Sequence, residues 1–354
     1  MKIPIQNIYF LLSYAWDMLD EAETVPVSQD DCRSLAELFA RILDGGVTHL
    51  LKRGLDRGYV TEELYTRSLR GKLDISETIK RNLLLKSQAH CVVDSLSYQV
   101  THNQIIKTTL RNVVRCEELD RNLRNRLLRL YRRLHEVGEI DLSPKVFGGV
   151  RLHRNNAFYG LLLQVCRLIY ENLLINERTG NSQFRDFLRD ERQMAAVFEK
   201  FVRNSYRREQ RRFRVRSEQF SWQGVEAGDN DLQYLPKMKT DISLESDDRK
   251  IVIDTKYYGQ TLQTHFGGGS VHSGNLYQLF AYLKNLDHLG EQDRPIEGIL
   301  LYPTVGSSLD LRYRIQGHPI RVVTVDLDQD WKTIRARLLG LLPGRRNMIH
   351  SRSS

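Results

Sequence analysis

Residues 240–256 read T-D-I-S-L-E-S-D-D-R-K-I-V-I-D-T-K. Asp241 opens a β-like run, a polar turn follows, and the apolar run Ile251-Val252-Ile253 ends in Asp254-Thr255-Lys256. Side chains alternate along a strand, so Asp254 and Lys256 share a face with Val252 beneath them. Two carboxylates and an ammonium then converge at the end of a buried strand, where charge is costly unless it is paired or bound to a metal. A divalent-metal phosphodiesterase needs that arrangement. Its carboxylates hold Mg²⁺, the metal acidifies a water, and a lysine orients that water or stabilises developing charge. Asp241 and Asp254 are then the expected metal ligands, the backbone carbonyl of Thr255 a third, and Lys256 the water-positioning cation. Glu199, in M-A-A-V-F-E-K-F-V, is placed to reach the same metal from the preceding helix. A lone D-x-K also describes a plain ion pair at a strand end, and taken by itself that simpler reading is favoured.

Working outward, residues 190–209 predict a helix, followed by β-like segments near 211–223, 239–245 and 250–257. Gly267-Gly268-Gly269 reads as a flexible loop before a helix at 275–286, with His272 in a structural hydrogen bond at the helix entrance. A strand at 297–302, two more near 311–326 and a helix at 328–341 complete an α/β order around one central sheet. Gln278 and Tyr282 lie four apart on one helical face and can line a groove beside the carboxylates as DNA contacts. The alternative is a packed tyrosine and a solvated glutamine. Arg203, Arg207, Arg208, Arg211, Arg212, Arg214 and Arg216 run from the Glu199 helix into the sheet. Arg207, Arg208, Arg211 and Arg212 are expected to meet the DNA backbone, with a solvated helix end as the alternative.

The first half has another rhythm. Residues 7–19 and 33–43 predict amphipathic helices, with Gly45-Gly46 as a break. Short β-like pieces from Tyr59 to Val100 surround a turn at Arg70-Gly71 and a polar helical stretch near 76–85. Residues 103–136 are again helical and carry Arg111, Arg115, Arg121, Arg124, Arg126, Arg129, Arg132 and Arg133, read as solvated or protein-facing. A turn at Gly148-Gly149 and an apolar helix at 156–173 follow. The expected domains are 1–180, an α+β domain of mixed helices and short strands, and 187–343, an α/β domain with a central mixed sheet flanked by helices, before a tail at 344–354.

The chain's 354 residues suffice for two cores of ordinary size, and 41% hydrophobic with 27% charged residues is a globular balance. A net charge of +9 raises the odds of a polyanionic partner. Cys32, Cys91, Cys116 and Cys166 are far apart, which speaks against a zinc cluster or disulfide framework and for reduced, packed thiols. The N-terminal residues lack the pattern of a signal peptide, and no run suits a membrane span, so a cytoplasmic protein is expected. No G-x-x-x-x-G-K-[ST] occurs, so nucleotide binding is not expected in this chain.

The acidic strand pair, the D-x-K and the Q-x-x-x-Y on the next helix together resemble the PD-(D/E)xK restriction-endonuclease-like superfamily, particularly its RecB-like branch. Thr240 stands where the family name has proline and Asp254 where it has glutamate. N-I-Y-F-L-L-S-Y-A-W at 7–16, R-G-K-L-D at 70–74 and N-Q-I-I-K-T-T-L at 103–110 extend the likeness, as do L-P-K-M-K-T-D-I at 235–242 and H-S-G-N-L-Y-Q-L-F-A-Y-L at 272–283. So do L-L-Y-P at 300–303 and R-V-V-T-V at 321–325, and the whole resembles the McrC family, nuclease subunits of McrBC modified-cytosine restriction systems. The resemblance implies an N-terminal half that docks on a McrB-like AAA+ GTPase ring and stimulates its GTP hydrolysis. It also implies that the ring binds GTP and recognises DNA with modified cytosine, while this chain cuts with Mg²⁺, or alternatively Mn²⁺. If each site cuts one strand, dimerisation on DNA is expected. Two other functions are a non-catalytic adaptor that activates the ring and a stand-alone DNA repair nuclease.

Overall fold

A computed structural model describes residues 3–27, 32–175, 182–226, 228, 230–258, 263–265, 268–288, 294–306 and 308–342. The chain divides into two units, one of residues 20–185 and one combining residues 1–19 with 186–354. The division at 185/186 falls within the expected linker, but the first residues differ from expectation. α1 (Ile5–Ala15) was assigned to the N-terminal domain and instead belongs with the second half. Its apolar residues Ile8, Leu11 and Leu12 are buried, and Tyr14 sets its ring edge-on to Phe201 with centroids 5.7 Å apart. Asn7 Nδ2 donates to the carbonyls of Leu327 and Gln329, each at 2.7 Å, and Tyr14 Oη donates to Glu209 at 2.7 Å.

The unit of residues 20–185 follows the short α2 (Leu19–Glu23) with α3 (Leu35–Arg53), whose first turn is capped by the Ser34 hydroxyl accepting from Glu37 N at 3.2 Å. α3 runs straight through Gly45-Gly46, so the expected break is absent. A Cβ on Gly46 would lie 2.4 Å from Leu162 Cδ2, and one on Gly45 2.7 Å from Val25 Cγ1. The glycines admit neighbouring side chains against the helix and do not end it. β1 (Gly58–Thr66), β2 (Lys72–Leu73) and β3 (Ala89–Ser97) form an antiparallel sheet in the order β1-β3-β2, with α4 (Ile75–Lys80) between β2 and β3. The turn before β2 needs glycine: Gly71 has φ +63° and a Cβ there would meet the Val92 carbonyl oxygen at 2.3 Å.

The helical region 103–136 is two helices, α5 (Thr101–Val114) and α6 (Arg121–Arg133), separated because Asp120 caps the second by accepting from Asn122 N and Leu123 N. Arg111 pairs with Glu139 and Arg126 with Asp44, while Arg115, Arg121, Arg132 and Arg133 are exposed. α7 (Pro144–Gly149) ends at the expected glycine turn, and α8 (Phe158–Asn172) leads to the antiparallel pair β4 (Leu173–Ile175) and β5 (Ser182–Phe184). Leu38, Ile42, Ile105, Leu127 and Val165 from these helices are fully buried in the unit's core. All four cysteines are buried and unbridged.

The other unit continues from α9 (Glu191–Glu209), capped by Asp190, into β6 (Arg214–Arg216), β7 (Gln219–Phe220), β8 (Met238–Lys239), β9 (Ile242–Glu245) and β10 (Lys250–Thr255). β11 (Gln263–His265) and β12 (Gly268–Ser270) pair antiparallel, so Gly268 and Gly269 lie in a strand where a loop was expected; Gly267 and the tail at 344–354 lie outside the described residues. α10 (Ser273–His288) crosses over to β13 (Ile296–Thr304), followed by β14 (Asp310–Ile315), β15 (His318–Asp326) and α11 (Trp331–Gly340). The central sheet runs β14-β15-β13-β10-β9-β6, with β10, β13 and β15 parallel and the outer pairings antiparallel. It is the mixed sheet that the alternation of apolar runs and helices predicts. Val252, Leu300 and Val322 on the sheet bury against Leu279, Tyr282 and Leu283 of α10. Gly298 lets the helix approach, since a Cβ there would stand 3.0 Å from both Leu279 Cδ2 and Leu283 Cδ1. Among the described residues no helix is long and apolar enough to cross a membrane.

Candidate active site

The antiparallel pairing of Ile242 with Ile253 brings Asp241 and Asp254 to the same end of the sheet. Asp254 is 1% exposed, and neither of its carboxylate oxygens accepts a well-aligned hydrogen bond. Its charged neighbour is Lys256, two residues on along the same face, with Nζ 2.9 Å from Oδ2. Burial pushes the Asp254 carboxyl up to about 7; Lys256 opposes the shift, and the charges of Asp241 and Glu199 add to it. Burial alone would lower the Lys256 ammonium, but Asp254 together with Asp241 outweighs it and holds the lysine above its usual range.

Lys256 is fixed from the other side by α10. Its Nζ donates to Gln278 Oε1 at 2.8 Å, and Gln278 Nε2 donates to Tyr282 Oη at 2.7 Å. Gln278 and Tyr282 were expected to line a groove for DNA. The structure instead sets Gln278 on the lysine and buries Tyr282 in the core under the sheet, because the Tyr282 ring packs where Val252 and Leu283 also pack.

Asp241 is held by Thr255, whose main-chain N and Oγ1 donate to Oδ2 at 2.8 and 2.9 Å. The sequence reading assigned Thr255 only a carbonyl ligand and missed its side chain, which β10 presents at the register of Asp241. Glu199 is not gathered into a three-carboxylate group. Arg203 takes it at 2.6 Å and also reaches the Asp241 carbonyl at 3.4 Å. Thr240, at the position of the motif's proline, uses the N–H that proline lacks: it donates to the Glu218 carbonyl at 3.0 Å, and its hydroxyl accepts from Glu218 N at 3.0 Å. His272 stands at the helix entrance, where its carbonyl accepts from Asn275 N and Leu276 N and its ring stacks on Tyr258 at 4.9 Å, but the imidazole does not make the expected structural bond, since its Nε2 is buried with no hydrogen-bond partner.

The basic residues lie elsewhere. Arg214 of β6 pairs opposite Glu245, and Glu245 opposite Lys250, at the far end of β10. At about 3.3 Å per residue this is roughly 13 Å along the strand from Asp254. Arg212 is ion-paired with Asp248 in the turn at that end, at 2.8 Å. Arg207 and Arg208 occupy the last turn of α9, and Arg207 and Arg211 are exposed. These arginines were expected to meet the DNA backbone; the antiparallel return of β6 along β9 starts that strand at the end of the sheet opposite Asp254.

The donors suit a cation in one particular way. Asp254 offers buried, unpartnered carboxylate oxygen, and Asp241 and the Thr255 carbonyl add hard oxygen atoms. Among the described residues no three His, Cys, Asp or Glu side chains stand as a ready metal cluster. One or two carboxylates completed by water and substrate phosphate is the usual Mg²⁺ environment, so these residues fit that ion and not an all-protein cage.

A family described as McrBC 5-methylcytosine restriction system component matches residues 6–303. The type IV methyl-directed restriction enzyme EcoKMcrBC of Escherichia coli (strain K12) is 31% identical over 339 residues, covering 96% of this chain and 97% of that protein. Among solved structures, a chain from the refined half-complex of a tetradecameric assembly of Thermococcus gammatolerans McrB AAA+ hexamers with bound McrC shares the fold. Its TM-score is 0.55 at 18% identity, covering 94% of this chain and 76% of that one. With a match that takes in both units and includes Asp241, Asp254, Lys256 and the Gln278 helix, the chain belongs to the family of McrBC 5-methylcytosine restriction system components.

Proposed function

We propose that this chain is the Mg²⁺-dependent DNA endonuclease subunit of a GTP-driven, modified-cytosine-dependent restriction complex. The observation that carries this reading is Asp254, a fully buried carboxylate with no aligned hydrogen bond, against an ammonium at 2.9 Å and at the same sheet end as Asp241. A plain surface ion pair has no reason to be buried there. Asp241, Asp254 and the Thr255 carbonyl would hold the cation, which when bound polarises the phosphate and acidifies a water. Lys256 has three N–H donors; one bonds Gln278 while the ammonium pairs in charge with Asp254, which leaves donor capacity for the attacking water or a phosphate oxygen. Thr255 fixes the orientation of Asp241, and the Gln278–Tyr282 bond fixes that of Gln278. Their alignment is set before substrate arrives.

The partner in this reading is a McrB-like AAA+ GTPase ring, which binds GTP and selects DNA containing modified cytosine. A solved structure that shares the fold comes from an assembly of McrB AAA+ hexamers with bound McrC. The unit of residues 20–185 offers a surface for such docking. Tyr59, Leu69, Ile75, Ile79, Leu84 and Leu85, large apolar side chains in the segment from β1 to β3, are all exposed, and exposed apolar groups of this kind serve docking interfaces. Two copies acting on DNA account for a double-strand break if each site cuts one strand.

The test is cleavage of cytosine-methylated and unmethylated plasmid with Mg²⁺, with and without partner and GTP, alongside Asp254→Ala. Methylation-dependent cutting that needs partner and GTP and is lost in the variant supports the proposal. Cutting by the chain alone makes it a stand-alone nuclease, and GTPase stimulation without cutting makes it an adaptor.

A further inference from the structure

Around β6 and the end of α9, Arg203, Arg212 and Arg216 are committed to carboxylates, which leaves Arg207, Arg211 and Arg214 as the exposed cations there. The catalytic end of the sheet carries a different set of groups. β7 and β8 pair Gln219 with Lys239 and Phe220 with Met238, so the base of this hairpin precedes Asp241 by only Thr240. Phe220 meets the edge of Tyr282 with centroids 6.3 Å apart, and Gln223 N donates to Asn285 Oδ1 at 2.8 Å. These contacts hold the hairpin along the face of α10 that carries Gln278.

Outward, the hairpin presents Trp222, Tyr234, Lys237 and Lys239, all exposed, with Tyr234 at 80%. Trp222 is anchored as it is displayed, its Nε1 donating to the Pro236 carbonyl at 2.9 Å. Unlike Arg203, Arg212 and Arg216, Lys237 and Lys239 have no salt-bridging carboxylate among the described residues. Tyr277, 69% exposed, stands beside Gln278 on α10. Exposed rings give bases a stacking surface, and unneutralised lysines attract phosphates. A second copy of this chain, itself at +9, is the less suitable occupant on charge.

We propose that the β7–β8 hairpin is a DNA-engaging element, in which Trp222 and Tyr234 stack against bases next to the scissile phosphate and Lys237 and Lys239 neutralise flanking phosphates. The assignment of that phosphate rests on the nuclease reading above.

The experiment uses the full chain in complex with its partner ring, in an Asp254→Ala background, binding a cytosine-methylated duplex at several salt concentrations. Each phosphate contact contributes about 0.9 to the slope of log K against log salt. Lys237→Ala with Lys239→Ala should therefore lower that slope by about 2. Tyr234→Ala should weaken binding about 5- to 160-fold with the slope unchanged, the range expected for one base stacked on one ring. These side chains are exposed, so the variants should keep the parent melting temperature. Trp222→Phe keeps the ring while removing its bond to Pro236, and should fall between the parent and Trp222→Ala. Wild-type affinity and slope in all variants would overturn the proposal, as would a loss confined to self-association. Should the wild-type complex never cut DNA while the slope change is observed, the nuclease reading falls and the hairpin assignment stands.

Discussion

A carboxylate buried without aligned hydrogen bonds costs stability whenever it is ionised, and the rise of the Asp254 carboxyl to about 7 expresses that cost. Its folded pKa lies above the ordinary carboxylate value, so between about pH 4 and pH 7 the folded chain binds more protons than the unfolded one. Stability contributed by this group therefore falls as pH rises through that window. Asp254→Asn should remove the fall and melt above the wild type at pH 8 without metal; parallel profiles for the two proteins would contradict the burial account. Mg²⁺ should restore wild-type stability more at pH 8 than at pH 5, because only the ionised group binds a cation. Gln278 allows a second test at this scale, since its contact is with Lys256 and not with a groove. Gln278→Ala should lower the cleavage rate about tenfold with DNA affinity retained, a typical cost for losing a positioning hydrogen bond of about 1.4 kcal/mol. Lost affinity at an unchanged rate would return Gln278 to the DNA-contact role. The Asp254–Lys256 face was legible because strand alternation is local. The Thr255 clamp on Asp241 was not, because it depends on the pairing of two strands.

Between elements, the sequence located most helices and strands but misjudged what glycines and neighbours do. Gly45-Gly46 has the composition of a break, and only the presence of Leu162 and Val25 shows that it is a contact surface. Arg212 follows α9 closely in sequence, yet the direction of β6 takes it to the Asp248 turn. α1 was misassigned for the same reason: an amphipathic helix reports that it has an apolar face, not which distant core receives it. Ile8, Leu11, Leu12 and Tyr14 bury about 1.5–3 kcal/mol each, together comparable with the whole stability of a domain. Residues 186–354 alone should therefore fail to unfold cooperatively, whereas residues 1–19 joined to 186–354 by a flexible linker should melt as a folded unit. A cooperative transition in the shorter fragment, unchanged by adding the helix, would contradict this.

For the whole molecule, the proposed function assigns the two units separable tasks, with the carboxylate site in one and the exposed apolar surface in the other. Leu85 is 86% exposed, so Leu84→Asp with Leu85→Asp should leave the fold intact and abolish stimulation of partner GTP hydrolysis; full stimulation would remove this surface from the docking account. The division into two halves was legible from the change of rhythm near residue 180, whereas the apolar patch was hidden in short β-like pieces whose exposed and covered faces the sequence does not distinguish. The most direct measurement is cleavage of cytosine-methylated plasmid by wild type and Asp254→Ala, with Mg²⁺, partner and GTP, recording GTP hydrolysis in the same tubes. The wild type should cut and the variant should not, with equal GTP hydrolysis in both. Undiminished cutting by the variant would contradict the assignment of the catalytic centre to Asp254 and its neighbours.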